Sequence, residues 1–129
     1  MEGKEELLEV GKYNIKFNEI LGVDIQDLPI YRSKGLPSHM IKRKHFRSLK
    51  HIDDIPEIIS NPDYLGINPN EHGTSIEFVK KYEDNVMIGV KLDSDSKYLY
   101  VSTMHDIQES KVARRLHSGR LKEFLIDTK

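Results

Sequence analysis

From Ser75 onward the apolar positions fall on every second residue. Ile76, Phe78, Lys80 and Tyr82 alternate, Glu83-Asp84-Asn85 turns the chain, and Val86, Ile88, Val90 and Leu92 resume the pattern. Asp93 to Ser96 makes the next turn, and Leu99, Val101 and Thr103 form a third strand. A period of two between polar turns predicts an antiparallel meander with one buried face. Upstream the period lengthens. Ile41, His45, Leu49 and Ile52 recur at helical spacing, and His39, Arg43, Arg47 and His51 recur every four residues beside them. This predicts a helix over 37–51, started by Pro37 after the Gly35 breaker, with Ser38 or Ser33 as caps. A second helix follows, capped by Asp53 or Asp54, with Pro56 near its start and Ile55, Ile58 and Ile59 as its apolar side; Asn61-Pro62-Asp63 stops it.

The remaining segments are less regular. Residues 1–10 fit a short amphipathic helix or a first strand equally well. Tyr13, Ile15 and Phe17 alternate, but Ile20 and Leu21 continue a helical reading, so that element stays open. Leu28 to Ser33 reads as a short strand whose Pro29 suits an edge or a strand start. Residues 68–73 make a polar loop. Residues 107–117 predict a C-terminal helix, with Gly119 just past its end as a cap.

Charge changes this picture at one place. The chain of 129 residues carries a formal net charge of −1, yet no acid lies between Asp27 and Asp53. That window holds Arg32, Lys34, Lys42, Arg43, Lys44, Arg47 and Lys50 with three histidines. Exposed helices ordinarily mix both signs, so a one-signed segment points to a phosphate-bearing partner. A near-neutral whole argues that any nucleic-acid contact is local and shaped rather than a generic affinity for polyanions. Lys111, Arg114, Arg115, Arg120 and Lys122 form a second basic set. Absent cysteine excludes disulfides and thiolate chemistry. No stretch approaches the roughly 18 apolar residues that span a bilayer. The acidic start, MEGKEELLEV, is unlike a signal peptide, so a single cytoplasmic domain without membrane association is expected.

The candidate chemistry lies where polar residues interrupt apolar rows. His45 occupies a core position of the helix, Lys80 follows Phe78 at i+2, and Thr103 follows Val101 at i+2. Each has an ordinary structural explanation: a core histidine bonded to a carbonyl, a lysine reaching water from a strand end, a common strand threonine. Together, on faces that pack against each other, they read as a site, with His45 as a general acid or base. No histidine spacing resembles a zinc motif, no glycine-rich phosphate loop occurs, and there is no serine nucleophile elbow.

These residues also carry a resemblance. The runs IYRSKGLPSHMIKRKHF, IDDIPEIISNPDYLG, SIEFVKKYEDNVMIGVKLD and YLYVSTMHDI, with the closing K-x-x-R-R-L-H-S-G-R-L, are similar to phage and mobile-element nuclease domains of the barnase–EndoU–colicin–RelE fold group, over roughly residues 30–121. The resemblance implies an α+β fold, with N-terminal helices on one face of an antiparallel sheet of about four strands and a C-terminal helix. It also implies a metal-independent endoribonuclease, without cofactor, in which a 2′-hydroxyl attacks the adjacent phosphate. Such a reaction needs a base, an acid and cations for the phosphorane charge. Carried onto this chain, His45 and His39 are the acid/base candidates, with Ser102 or Thr103 as a hydrogen-bonding partner. Lys80 and Arg120 would stabilise phosphate charge, and Ser33, Arg43, Arg47, Lys91 and Lys111 complete the RNA- and phosphate-binding set. RNA, tRNA included, is the implied substrate, and an inhibitor or immunity protein an implied partner. Exposed tyrosines, Tyr98 and Tyr100 or Tyr31 and Tyr64, are candidates for base stacking. Two other classes remain: a non-catalytic RNA- or protein-binding module using the basic helix 37–51, and an ADP-ribosyl transferase suggested by the Val-Ser-Thr strand, which lacks a Glu-x-Glu to serve it.

Overall fold

Backbone pairing decides the architecture. In the computed structural model, which describes residues 6–124, the chain runs through β1 (Leu7–Lys12), α1 (Phe17–Leu21), β2 (Pro29–Ser33), α2 (Leu36–Lys42), α3 (Phe46–Leu49), a 3-10 turn (Ile52–Asp54) and α4 (Ile55–Ser60). It continues through β3 (Tyr64–Ile67), β4 (Ser75–Lys81), β5 (Asn85–Leu92), β6 (Leu99–Ile107), α5 (Glu109–Ser118) and β7 (Leu121–Glu123). The strands make one sheet in the order β1-β2-β6-β5-β4-β3-β7. The α+β class, the meander β4–β5–β6 and the C-terminal helix with its left-handed Gly119 cap agree with the pattern of the sequence.

The sheet has seven strands rather than about four, and it is mixed, because β2 runs parallel to β6. Pro29 opens β2 opposite Lys12, the strand-start role that its missing N–H allows. Of the open N-terminal segment, residues 7–12 are a strand and 17–21 a helix, while residues 1–5 lie outside the described residues. β3 and β7 escaped the pattern because both are short. Gly66 carries their pairing: a Cβ placed there would meet the Arg120 carbonyl oxygen at 1.7 Å, so only glycine admits β7 alongside.

A helix over 37–51 does not form. It breaks into α2, α3 and the 3-10 turn, because Lys44 adopts the left-handed conformation at φ 62°. His45 N–H then bonds the Met40 carbonyl (2.8 Å), and Lys44 N–H bonds the Ile41 carbonyl (3.0 Å), the two hydrogen bonds of a Schellman ending. The four-residue basic stripe His39, Arg43, Arg47 and His51 therefore does not share one face. His51 instead stacks on Tyr82, with ring centroids 4.1 Å apart, and its Nδ1 lies 2.9 Å from Asp54.

The main core lies between α1, α2 and α4 and one sheet face. Phe17, Met40, Ile55 and Ile58 pack there on Ile30, Ile76, Phe78, Val86, Ile88, Val90 and Leu99. Each such fully buried side chain stabilises the fold by about 1.5–3 kcal/mol of transfer free energy. On the other face α5 covers only part of the sheet, through Val112 packed with Tyr64, Val79, Met87, Ile107 and Leu121. The rest of that face, including Tyr31, Lys91, Tyr100, Thr103 and His105, stays partly exposed.

Candidate active site

Register places the chemistry-bearing residues of β6. Val101 pairs with Val90, but Thr103 pairs with Gly89, so Ser102 is an extra residue in a bulge. The bulge changes the parity of the strand. Leu99, Val101 and Met104 face the main core, whereas Tyr100, Thr103 and His105 face the side that α5 leaves open. Thr103 consequently does not share a row with Val101 or Lys80, as the plain alternation of the sequence had implied.

β2 pairs with β6 only at Ile30–Leu99 and Tyr31–Tyr100. Beyond that point α3 approaches the β6 margin. Between the start of α2 and β6 lies a cleft of about 540 Å³, lined by Ser33, His39, Asp93, Tyr98, Tyr100 and Ser102 among others. Ser33 Oγ accepts the Gly35 N–H at 2.8 Å, and Ser102 Oγ donates to the Gly89 carbonyl at 3.2 Å. At one end Tyr98 stands 5.6 Å edge-on from Tyr31 and 6.3 Å from Tyr100, giving an aromatic group beside the cleft.

Farther along β6, the His45 ring lies 5.4 Å from that of His105. The Schellman ending aims His45 there. Burial holds the His45 pKa below its ordinary 6.5, and the neighbouring His105, Arg43 and His39 lower it further against an opposing pull from Asp106. His105 Nδ1 lies 2.8 Å from the Asp106 carbonyl oxygen. A carbonyl only accepts, so Nδ1 carries a proton and Nε2 is the nitrogen free to exchange one. His39, His45, Ser33 and Ser102 are thus brought to one side of the molecule, together with His105. His105 was missed in the sequence because nothing in a strand of alternating polarity marks one polar position above its neighbours.

Other expected site residues are engaged elsewhere. Lys80 Nζ donates to the Asn61 carbonyl at 2.7 Å and lies 3.6 Å from Glu57, tying β4 to the end of α4 on the core side. Arg120 is bound to Glu77, through Nε at 3.0 Å and Nη2 at 2.8 Å. Lys91 pairs with Glu71 at 2.8 Å in the row of Tyr100, and that hydrogen bond raises its pKa. Arg43 and Lys111 are exposed, and Arg47 reaches Asp84 only at 4.0 Å. Among the described residues, no three His, Asp or Glu side chains converge as a metal-binding set, and no helix is long and apolar enough to cross a membrane.

With this geometry in view, the family model described as phage-Barnase-EndoU-ColicinE5/D-RelE like nuclease3 matches residues 9–114. The chain belongs to this family. No curated protein and no solved structure matches it. The nuclease match runs from β1 into α5 and includes every residue that lines the cleft except Leu7. It ends at Arg114, short of Arg115 and Arg120. Nuclease chemistry on a nucleic-acid substrate is the function class that goes with membership, and the family is phage-associated.

Proposed function

We propose that this phage-type nuclease is an endoribonuclease that cuts RNA by attack of a 2′-hydroxyl on the adjacent phosphate, at the cleft between α2 and β6. The observation that carries the reading is the His45–His105 pair, 5.4 Å apart, with His39, a cleft residue, close enough to act on His45 electrostatically. The two proton transfers of this reaction need one group to accept a proton and another to give one, and the pair supplies one imidazole for each. His45, with its lowered pKa, is the base that takes the proton of the 2′-hydroxyl. As the O2′–P bond forms and the P–O5′ bond breaks, protonated His105 gives its Nε2 proton to the leaving 5′-oxygen. The products are a 2′,3′-cyclic phosphate and a 5′-hydroxyl, so no water, metal or cofactor enters the balance. His39, Ser33 and Ser102 hold the phosphate oxygens, Arg43 adds positive charge, and Tyr98 and Tyr100 offer faces on which unpaired bases stack.

The test is a gel of total RNA and tRNA incubated with the protein in EDTA, beside His45→Ala and His105→Ala. Wild-type cleavage leaving cyclic phosphate ends is expected, with losses of roughly 100-fold or more in each variant, the scale of general acid–base catalysis. Undiminished cleavage by His45→Ala removes it from the mechanism. Equal cleavage of a 2′-deoxy substrate overturns transesterification. RNA retained on a filter without cleavage would make the chain a binding module.

A further inference from the structure

Glu77 is the single acid in the apolar run of β4, and it is 2% exposed. Under α5 it accepts hydrogen bonds from two guanidinium groups, Arg115 Nη1 at 3.2 Å and Arg120 Nη2 and Nε at 2.8 and 3.0 Å. One carboxylate facing two guanidiniums leaves a net charge of +1. Arg115 and Arg120 are only 17% and 20% exposed, so that excess is poorly hydrated. Burial pulls the Arg115 pKa down, against the attraction of Glu77. Above the triad runs an open groove lined by Lys111, Arg114, Arg115, His117, Ser118 and Arg120, with no carboxylate among its lining residues. Val112 and Leu116 make the apolar contacts of α5, and Arg115, one turn from Val112, also donates from Nη1 to Met87 Sδ at 3.4 Å, so the arginine pair is held at the edge of this smaller core.

The register relates this groove to the cleft. On the sheet face that α5 partly covers, Glu77 neighbours Gly89, and Gly89 neighbours Thr103. With strands about 4.8 Å apart, Glu77 lies about 10 Å from Thr103 across the sheet, too far for one phosphate to touch both the arginine pair and His105 on β6. Gly89 lacks a side chain, and a Cβ there would meet Thr103 Cγ2 at 2.8 Å, so no side chain rises from β5 between the two regions.

We propose that the α5 groove anchors the phosphodiester backbone of the substrate at nucleotides flanking the cut, with Glu77 as the positioning residue that fixes Arg115 and Arg120. The proposal rests on the endoribonuclease reading. It moves Arg120 from the reacting phosphate to a neighbouring one and adds Arg115, beyond the family match. A backbone track uses charge-assisted contacts that carry no sequence information, so the groove governs affinity for long substrates and leaves the chemical step alone.

The experiment compares the full chain with the variant R114Q, whose change is confined to an exposed position of α5. A dinucleotide and a single-stranded 12-mer, about long enough to span both regions, serve as substrates. The expected result is a rise of roughly threefold in KM for the 12-mer, at unchanged kcat and with unchanged dinucleotide cleavage, as for one partly screened ionic contact. Binding of an uncleavable 2′-O-methyl 12-mer is followed against salt in parallel, and the slope of log K against log salt should shallow by about 0.7 in the variant, the contribution of one phosphate. An unchanged slope overturns the groove proposal whether or not RNA is cut. Equal losses on the dinucleotide and the 12-mer also overturn it. Failure of the wild type to cut either substrate removes the endoribonuclease reading alone, because the salt slope still decides whether the groove holds a backbone.

Discussion

Glu77→Gln isolates the buried triad from everything else in the fold, because the amide nearly matches the carboxylate in shape and removes only its charge. Three hydrogen bonds from guanidinium groups end on Glu77, at 2.8, 3.0 and 3.2 Å. A hydrogen bond to a charged group contributes about 1.5–3 kcal/mol net. The amide can still accept at its oxygen, but its NH2 faces guanidinium donors and cannot replace the second oxygen. Arg115 and Arg120 keep 17% and 20% of their side chains exposed and recover some hydration when released. The expected loss is therefore about 3 kcal/mol, the lower end of the range for removing one partner of a buried ion pair. For a chain of this size that corresponds to a fall in Tm of roughly 10–15 °C. Urea unfolding followed by circular dichroism measures it, with an unchanged m-value certifying that the native state is otherwise intact. A loss below about 1 kcal/mol would refute the reasoning: the arginines would then be solvated already, and Glu77 would organise nothing. Replacing all three residues with apolar ones of similar size should restore most of the stability, because the cost lies in stranding the charges rather than in the pair itself.

Two further outcomes follow from the α2–α3 junction. His45 has a pKa below its ordinary 6.5, so the unfolded chain binds the extra proton more readily than the folded one. Its contribution to stability is full above pH 6.5 and is lost as pH falls toward the lowered folded value, and the acidic limb of the cleavage rate should likewise inflect below pH 6.5; an inflection above 6.5 would mean that His45 is not the titrating base. Lys44→Gly should stabilise the protein by about 0.5 kcal/mol in the same urea assay, since relief of left-handed strain of about 1 kcal/mol is partly offset by the freer unfolded glycine; a loss of stability would show that the Lys44 side chain contributes more than its backbone strain costs.

Local pattern determined a good deal of this protein. The period of two from Ser75, the turns at Glu83–Asn85 and Asp93–Ser96, the isoleucine side of α4 and the glycine cap of α5 are each dictated by a few neighbouring residues, and each stands in the fold. Of the candidates that the sequence offered, Ser33, His39 and Ser102 line the cleft, and His45 lies against His105. What failed were inferences that needed the period to run on unbroken. One left-handed residue, Lys44, ended the predicted helix and turned a four-residue stripe into separate elements. One extra residue, Ser102, reversed the parity of β6, sending Thr103 to the open face while Lys80 stayed with the core. Pairing across the chain decided the rest. β2 lies parallel to β6, β7 closes on Gly66, and Glu77 becomes a buried anion because Arg115 and Arg120, 38 and 43 residues later, fold onto it. Propensity and periodicity act over a few residues; which strand lies beside which, and so whether a given polar residue meets solvent, a partner or a cleft, is a property of contacts between distant segments that no local pattern contains.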